Sequence, residues 1–141
     1  MSDLAYLSAT EALARFRDRS LSPVELTQAL IDRAAEVEPT VNALCVTFSE
    51  SALEQARAAE ARYMGRGEPP RALEGICVGI KDEVPIAGQR CSMGSLLHRD
   101  DIAEVTDPMA GRILAAGGIT HARTTTPEFS SAGFTDRKSV V

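Results

Sequence analysis

Residues 65–70 read Gly-Arg-Gly-Glu-Pro-Pro. Neither a helix nor a strand accommodates that cluster, so the chain must break there into a loop. The two sides differ in kind. Before the break the sequence is rich in Ala and Glu and carries helix-start signals. After it come short apolar runs separated by glycines, the pattern of strands and turns.

On the N-terminal side, Ser8-Ala-Thr-Glu11 has the form of a capping box and predicts a helix over about 9–19. Ser22-Pro23-Val24-Glu25 repeats the signal with Pro at the first helical position. The next helix carries Leu26, Leu30, Ala34 and Val37 on one face, and Pro39 is expected to end it. Val41–Phe48 reads as a short strand or extended link, and Ser49 opens a third helix to about Met64. On the C-terminal side, Ile76–Ile80 is a continuous apolar run. Such a run suits a central strand covered on both faces, which would leave Lys81 at its end and shielded from water. Asp107-Pro108 starts a helix that Gly117-Gly118 closes, and Ile119–Thr125 is the next strand. Strand, long connection with a helix, strand is an α/β signature.

With 141 residues the chain is one domain at most. Only 4% of it is aromatic, so the core available to an independent fold is thin. The net charge of −5 argues against a general grip on nucleic acid or anionic lipid. No apolar run approaches the ~20 residues of a membrane span. The first residues have neither the basic nor the apolar region of a secretory signal. Cys45, Cys77 and Cys91 are odd in number and lack metal or redox spacing; as free thiols they point to a reducing cytoplasm.

Lys81 stands out by residue choice. It and Lys138 are the only lysines among 15 basic residues. An arginine cannot give up its proton at working pH, whereas a desolvated lysine can and then serves as a general base. The plain alternative is a strand-end lysine paired with Asp82 and Glu83 and facing water. His98 and His121 are isolated and suggest no metal. Ser130-Ser131 reads as a turn rather than a nucleophile loop. Ser95, after Gly94, reads as a turn held by its hydroxyl. Gly65-Arg-Gly67 is no phosphate loop, since no strand precedes it.

The order of these pieces is what matters. Leu73-Glu-Gly75-Ile-Cys-Val78-Gly79-Ile80-Lys81-Asp82, then Gly88, then Ser92-Met-Gly94-Ser95, resembles the amidase signature family. So do Ala115-Ala-Gly117-Gly-Ile119 with Thr124-Thr-Thr-Pro127-Glu128-Phe129, and the earlier Ser22–Leu26 and Val41-Asn42-Ala43. The resemblance runs from about Leu21 to Asp136. It implies the start of a large α/β/α fold with a central mixed sheet. Residues 1–64 would form a helical arm and 71–136 the beginning of that sheet. Residues 137–141 would be an aberrant tail, because the likeness stops at Asp136 and residue usage changes at Lys138.

The resemblance further implies hydrolysis of amides, or transfer of ammonia from glutamine, by a serine nucleophile, a bridging serine in a cis peptide, and a lysine. The G-x-x-V-x-x-K-D segment places that lysine at Lys81. Both serines belong to a Gly/Ser-rich segment that does not occur in this chain, which would supply only the lysine. No metal or organic cofactor is implied. The partner expected is a small-molecule amide substrate, with no direct nucleic-acid or membrane contact; a homodimer or amidotransferase partner subunits stay open. The rival readings are the A subunit of a glutamyl-tRNA amidotransferase and a non-catalytic stand-alone binding module. Cys77 stands where the family often has Pro and Arg123 where it often has Lys, and neither departure is expected to touch the chemistry.

Overall fold

The computed structural model describes residues 4–135. The described elements run in the order α1 (Ala9–Asp18), α2 (Pro23–Val41), β1 (Leu44–Thr47), α3 (Ser49–Tyr63), β2 (Cys77–Lys81), α4 (Pro108–Ala115) and β3 (Ile119–Thr124). Short 3-10 turns lie at Leu4–Tyr6, Leu96–His98 and Glu128–Ser130. The expected tail, residues 137–141, lies outside the described residues.

The helix starts follow the capping chemistry. The Ser8 hydroxyl accepts from the Glu11 N–H, while the Glu11 carboxylate turns to Arg15. At α2 the box is complete: the Ser22 N–H donates to Glu25 Oε2 at 2.8 Å, and Pro23 occupies the first turn. Ser22 Oγ also donates to Glu60, which ties the start of α2 to α3. One local expectation fails. Pro39 does not end α2, which continues to Val41 and stops at the left-handed cap Asn42. Proline in the last turn removes one hydrogen bond but leaves too little helix beyond it to kink. Ser49 opens α3 as expected. The cap position is Phe48, whose side chain has no acceptor to offer, while its N–H extends the sheet pairing by donating to the His121 carbonyl at 2.8 Å.

The sheet order is β1-β3-β2, with β1 antiparallel and β2 parallel to β3. This corrects the placement of the apolar run. Among the described strands β3 is central and β2 lies at the edge, where Gly79 is exposed and Ile80 alone is buried. The reason is on β3 itself. Its burial alternates little, as a strand covered on both faces requires.

Packing divides into an arm and two sheet faces. Ala12, Leu13, Phe16, Leu21 and Leu26 form the arm's core, against which Leu30, Tyr63 and Ile76 pack. On one face of the sheet Ala52 and Ala56 of α3 meet Ile119 and Cys77. With Ala59 they make a stripe of small side chains that brings α3 close. Val78 and Ile80 point the other way and meet Ala110, Ile113 and Leu114 of α4. Helices on both faces of a mixed sheet make this an α/β/α arrangement.

Candidate active site

The C-terminal end of β2 brings Lys81 out beside two loops, residues 91–98 and 126–130. Its position at the strand end is the one expected from the sequence. Its environment is not: the side chain keeps 39% of its surface exposed. Of the two neighbouring acids only Glu83 pairs with it, at 3.2 Å. Lys81 Nζ also donates to the Ser130 hydroxyl at 3.0 Å. Ser130 in turn lies 3.2 Å from the Thr126 hydroxyl. So Ser130, read from sequence as a turn former, is brought to the lysine. Among the described residues Ser131 bonds through its backbone N–H to the Glu128 carbonyl.

Asp82 turns inward. Its carboxylate is fully buried and accepts from the Ser92 hydroxyl. Arg123 of β3, also fully buried, sets its Nε 3.8 Å from Asp82 Oδ1 and donates through Nη2 to the Val84 carbonyl at 2.6 Å. The Asp82 backbone joins three segments. Its N–H donates to the Thr124 carbonyl, and its carbonyl accepts from the Met93 N–H at 3.2 Å and from the Cys91 thiol. Burial pushes the Cys91 thiol above its ordinary value, against the pull of Arg123. Among the described residues Asp82 Oδ1 and Arg123 Nε and Nη1 have no hydrogen-bond partner in the protein. Buried polar atoms of that kind are ordinarily met by ordered water.

Sequence reading missed this pair. The signal was there: an arginine inside an otherwise buried strand needs a carboxylate within reach. Arg123 therefore lies against the residue next to Lys81.

The two loops are latched to each other. Ser95 Oγ donates to Glu128 Oε1 at 2.7 Å and accepts from the Leu97 N–H. Gly94, at φ +67, approaches the Thr126 carbonyl so closely that a Cβ would stand 2.6 Å from it. The histidines sit apart. His98 pairs with Asp101 at 2.7 Å and lies edge-on to Phe129. His121 is partly buried on β3, and burial pushes its pKa below the ordinary value, with a weaker opposing contact to the Val78 backbone. Among the described residues no group of three or more His, Cys, Asp or Glu could hold a metal ion. No described helix is long and apolar enough to cross a membrane.

Comparison with known proteins agrees with the motif order. The amidase family pattern matches residues 25–140. The chain is 36% identical over 129 residues to the indoleacetamide hydrolase of Bradyrhizobium diazoefficiens, covering 92% of this chain and 24% of that protein. It is 31% identical to the A subunit of the glutamyl-tRNA(Gln) amidotransferase from Carboxydothermus hydrogenoformans, covering 95% of this chain and 27% of that one. The chain thus spans about a quarter of the length of these relatives. Among solved structures, a bacterial aryl acylamidase of the amidase signature family superposes with a TM-score of 0.82 at 25% identity, over 91% of this chain and 27% of that one. A fatty acid amide hydrolase reaches the same TM-score at 22% identity, over 90% and 23%, which shows the shared fold. By sequence pattern, relatives and fold together, the chain belongs to the amidase family.

Proposed function

We propose that the chain is the lysine-bearing part of an amidase-type hydrolase that cleaves carbon–nitrogen bonds, with Lys81 as its catalytic residue. The observation that carries this is the match of residues 25–140 to the family pattern, with Lys81-Asp82 at the end of a strand beside two constrained loops. In the reaction, Lys81 as a neutral amine takes a proton, through a bridging serine, from the serine hydroxyl that attacks the amide carbonyl. Backbone N–H groups of a glycine-rich segment hold the oxyanion. Those serines and that segment are not among these 141 residues, so the chain contributes the base and part of the sheet that carries it.

The 141-residue chain alone is expected not to hydrolyse amides, since without a nucleophile the covalent route is absent. Turnover of a simple aryl amide above the buffer rate, lost in Lys81→Ala, would count against the proposal. The positive test is a longer product of the source DNA that includes the serine-bearing segment. There Lys81→Ala should lower kcat by at least about 100-fold, the lower range for a lost acid–base group. Unchanged turnover would remove Lys81 from the mechanism.

A second reading, the A subunit of a glutamyl-tRNA amidotransferase, is supported by relatives of that name at 30–34% identity over almost the whole chain. It uses the same lysine with glutamine as ammonia donor. Co-purifying partner subunits and glutaminase activity in the longer product distinguish it from a free-standing hydrolase.

A further inference from the structure

Five non-glycine residues in the described chain hold left-handed backbone. Arg19 and Asn42 are helix C-caps, where that conformation ends the helix. The other three, Met93 (φ 52), Phe129 (φ 50) and Ser130 (φ 54), all lie in the two loops beside Lys81. Left-handed backbone is unfavourable for L-residues and persists only where the surroundings over-determine it. Here they do. The Phe129 N–H donates to the Met93 carbonyl at 2.9 Å, Ser95 is bonded to Glu128, and Gly94 abuts Thr126. What this strained pair of loops delivers is the Ser130 hydroxyl, 3.0 Å from Lys81 Nζ and braced by Thr126.

We propose that Ser130 is a positioning residue for Lys81, holding its amine at the strand end in both protonation states. This rests on the reading of Lys81 as the proton-accepting group. A half-exposed lysine has a long, mobile side chain and needs a partner to stay in one place. Glu83 holds the ammonium chiefly by charge, which goes with the proton, and a carboxylate offers no hydrogen to the lone pair of the neutral amine. The Ser130 hydroxyl accepts from the ammonium while its hydrogen goes to Thr126, whose own hydrogen is given to the Pro127 carbonyl; by turning that hydrogen to the neutral amine it remains a partner when Lys81 has lost its proton.

The test uses the whole chain labelled with 13C and 15N in lysine. Two side-chain amine signals result, assigned with Lys138→Arg. In the unsubstituted chain the Lys81 amine hydrogens should exchange with water at least tenfold more slowly than those of free lysine at the same pH. Ser130→Ala should raise that exchange at least threefold with the melting temperature unchanged. Ser131→Ala should leave it alone. Ser130→Asn, which tolerates left-handed backbone and offers a side-chain acceptor, should restore part of the protection. Exchange at the free-lysine rate before any substitution, or unchanged by Ser130→Ala, overturns the proposal. Either result leaves the catalytic reading of Lys81 to be decided separately by the turnover of Lys81→Ala in the longer product.

Discussion

In the arm the fully buried side chains are mostly apolar: Ala12, Phe16, Pro23, Ala52, Ala56 and Ala59, with Thr27 the polar exception, bonded to the Cys77 thiol. At the Lys81 end they are Asp82, Ser92, Ser95, Arg123 and Thr126. One region excludes water with apolar surface, the other with hydrogen bonds and an ion pair. Apolar packing is non-directional and degrades gradually as atoms are removed. A buried polar set is directional: each group is stable only while its partner is present. The arm can hold a fold together, and the Lys81 end can hold a few side chains in set positions.

The sharpest way to break that contrast is to compare single and double substitutions. Phe16→Ala should cost about 3–5 kcal/mol, from lost transfer energy and the cavity left. Arg123→Met should cost a similar ~3–5 kcal/mol for a different reason, since it strands the Asp82 carboxylate. Adding Asp82→Asn removes the stranded charge, so the double variant should be more stable than Arg123→Met alone. No second truncation in the arm, such as Leu13→Ala added to Phe16→Ala, should recover stability. Denaturant melts of the four variants decide this. A double variant less stable than Arg123→Met would mean the Asp82–Arg123 pair is not coupled in this way.

The same contrast explains what could be read from the sequence. The arm was legible because its signals are local. A Ser-Pro-Val-Glu start or an apolar residue every three to four positions acts on its own helix, and the last turn of α2, beyond Pro39, is where that reading stopped short. The place of Lys81 at the end of a strand was also legible, from the apolar run before it. Its surroundings were not. Ser130 reaches Lys81 across 49 positions of sequence, and Arg123 lies 41 beyond Asp82. The edge position of β2 depends on β3 pairing between it and β1, which the apolar run itself cannot indicate. Polar partners chosen by tertiary approach leave no periodicity.

Two glycines sharpen the comparison at the next level of effect. Gly94 and Gly65 both have positive φ, +67 and +75. Around Gly65, after the arm, nothing lies within 4 Å of an added Cβ, whereas at Gly94 the Thr126 carbonyl stands at 2.6 Å. Gly94→Ala should therefore cost about 1–3 kcal/mol through strain and displacement of the 126–130 loop. Gly65→Ala should show only the smaller backbone penalty. If the Lys81 amine protection survives Gly94→Ala unchanged, the latch between the loops is not what delivers Ser130.

Within the arm, Ser22→Ala should cost about 1 kcal/mol, the ordinary value of a lost N-cap. Thermal melts should show it without any change in the Lys81 signal, since Ser22 acts on α2 and, through Glu60, on α3, both away from the Lys81 loops. A change at Lys81 would mean the two regions are coupled.

The smallest effect expected is a pH dependence where arm and sheet meet, because its causes oppose one another. The buried Glu74 carboxyl is pushed up by burial, but hydrogen bonds from Arg71, with Arg62 nearby, outweigh this and hold it below its ordinary value of about 4.5. A carboxyl lowered on folding contributes stability that is present above its unfolded pKa and is lost as pH falls through the folded value. Stability from Glu74 should therefore be complete at pH 6 and decline below about 4.5. His121 adds a loss that begins higher, because its folded pKa lies below the ordinary 6.5 and the unfolded chain takes up the proton first. Comparing the chain with Glu74→Gln cancels the histidine contribution. The stability difference between the two should be level from pH 7 to 5 and shrink below that. A difference that stays constant down to pH 3 would show that Arg71 and Arg62 do not hold the Glu74 charge.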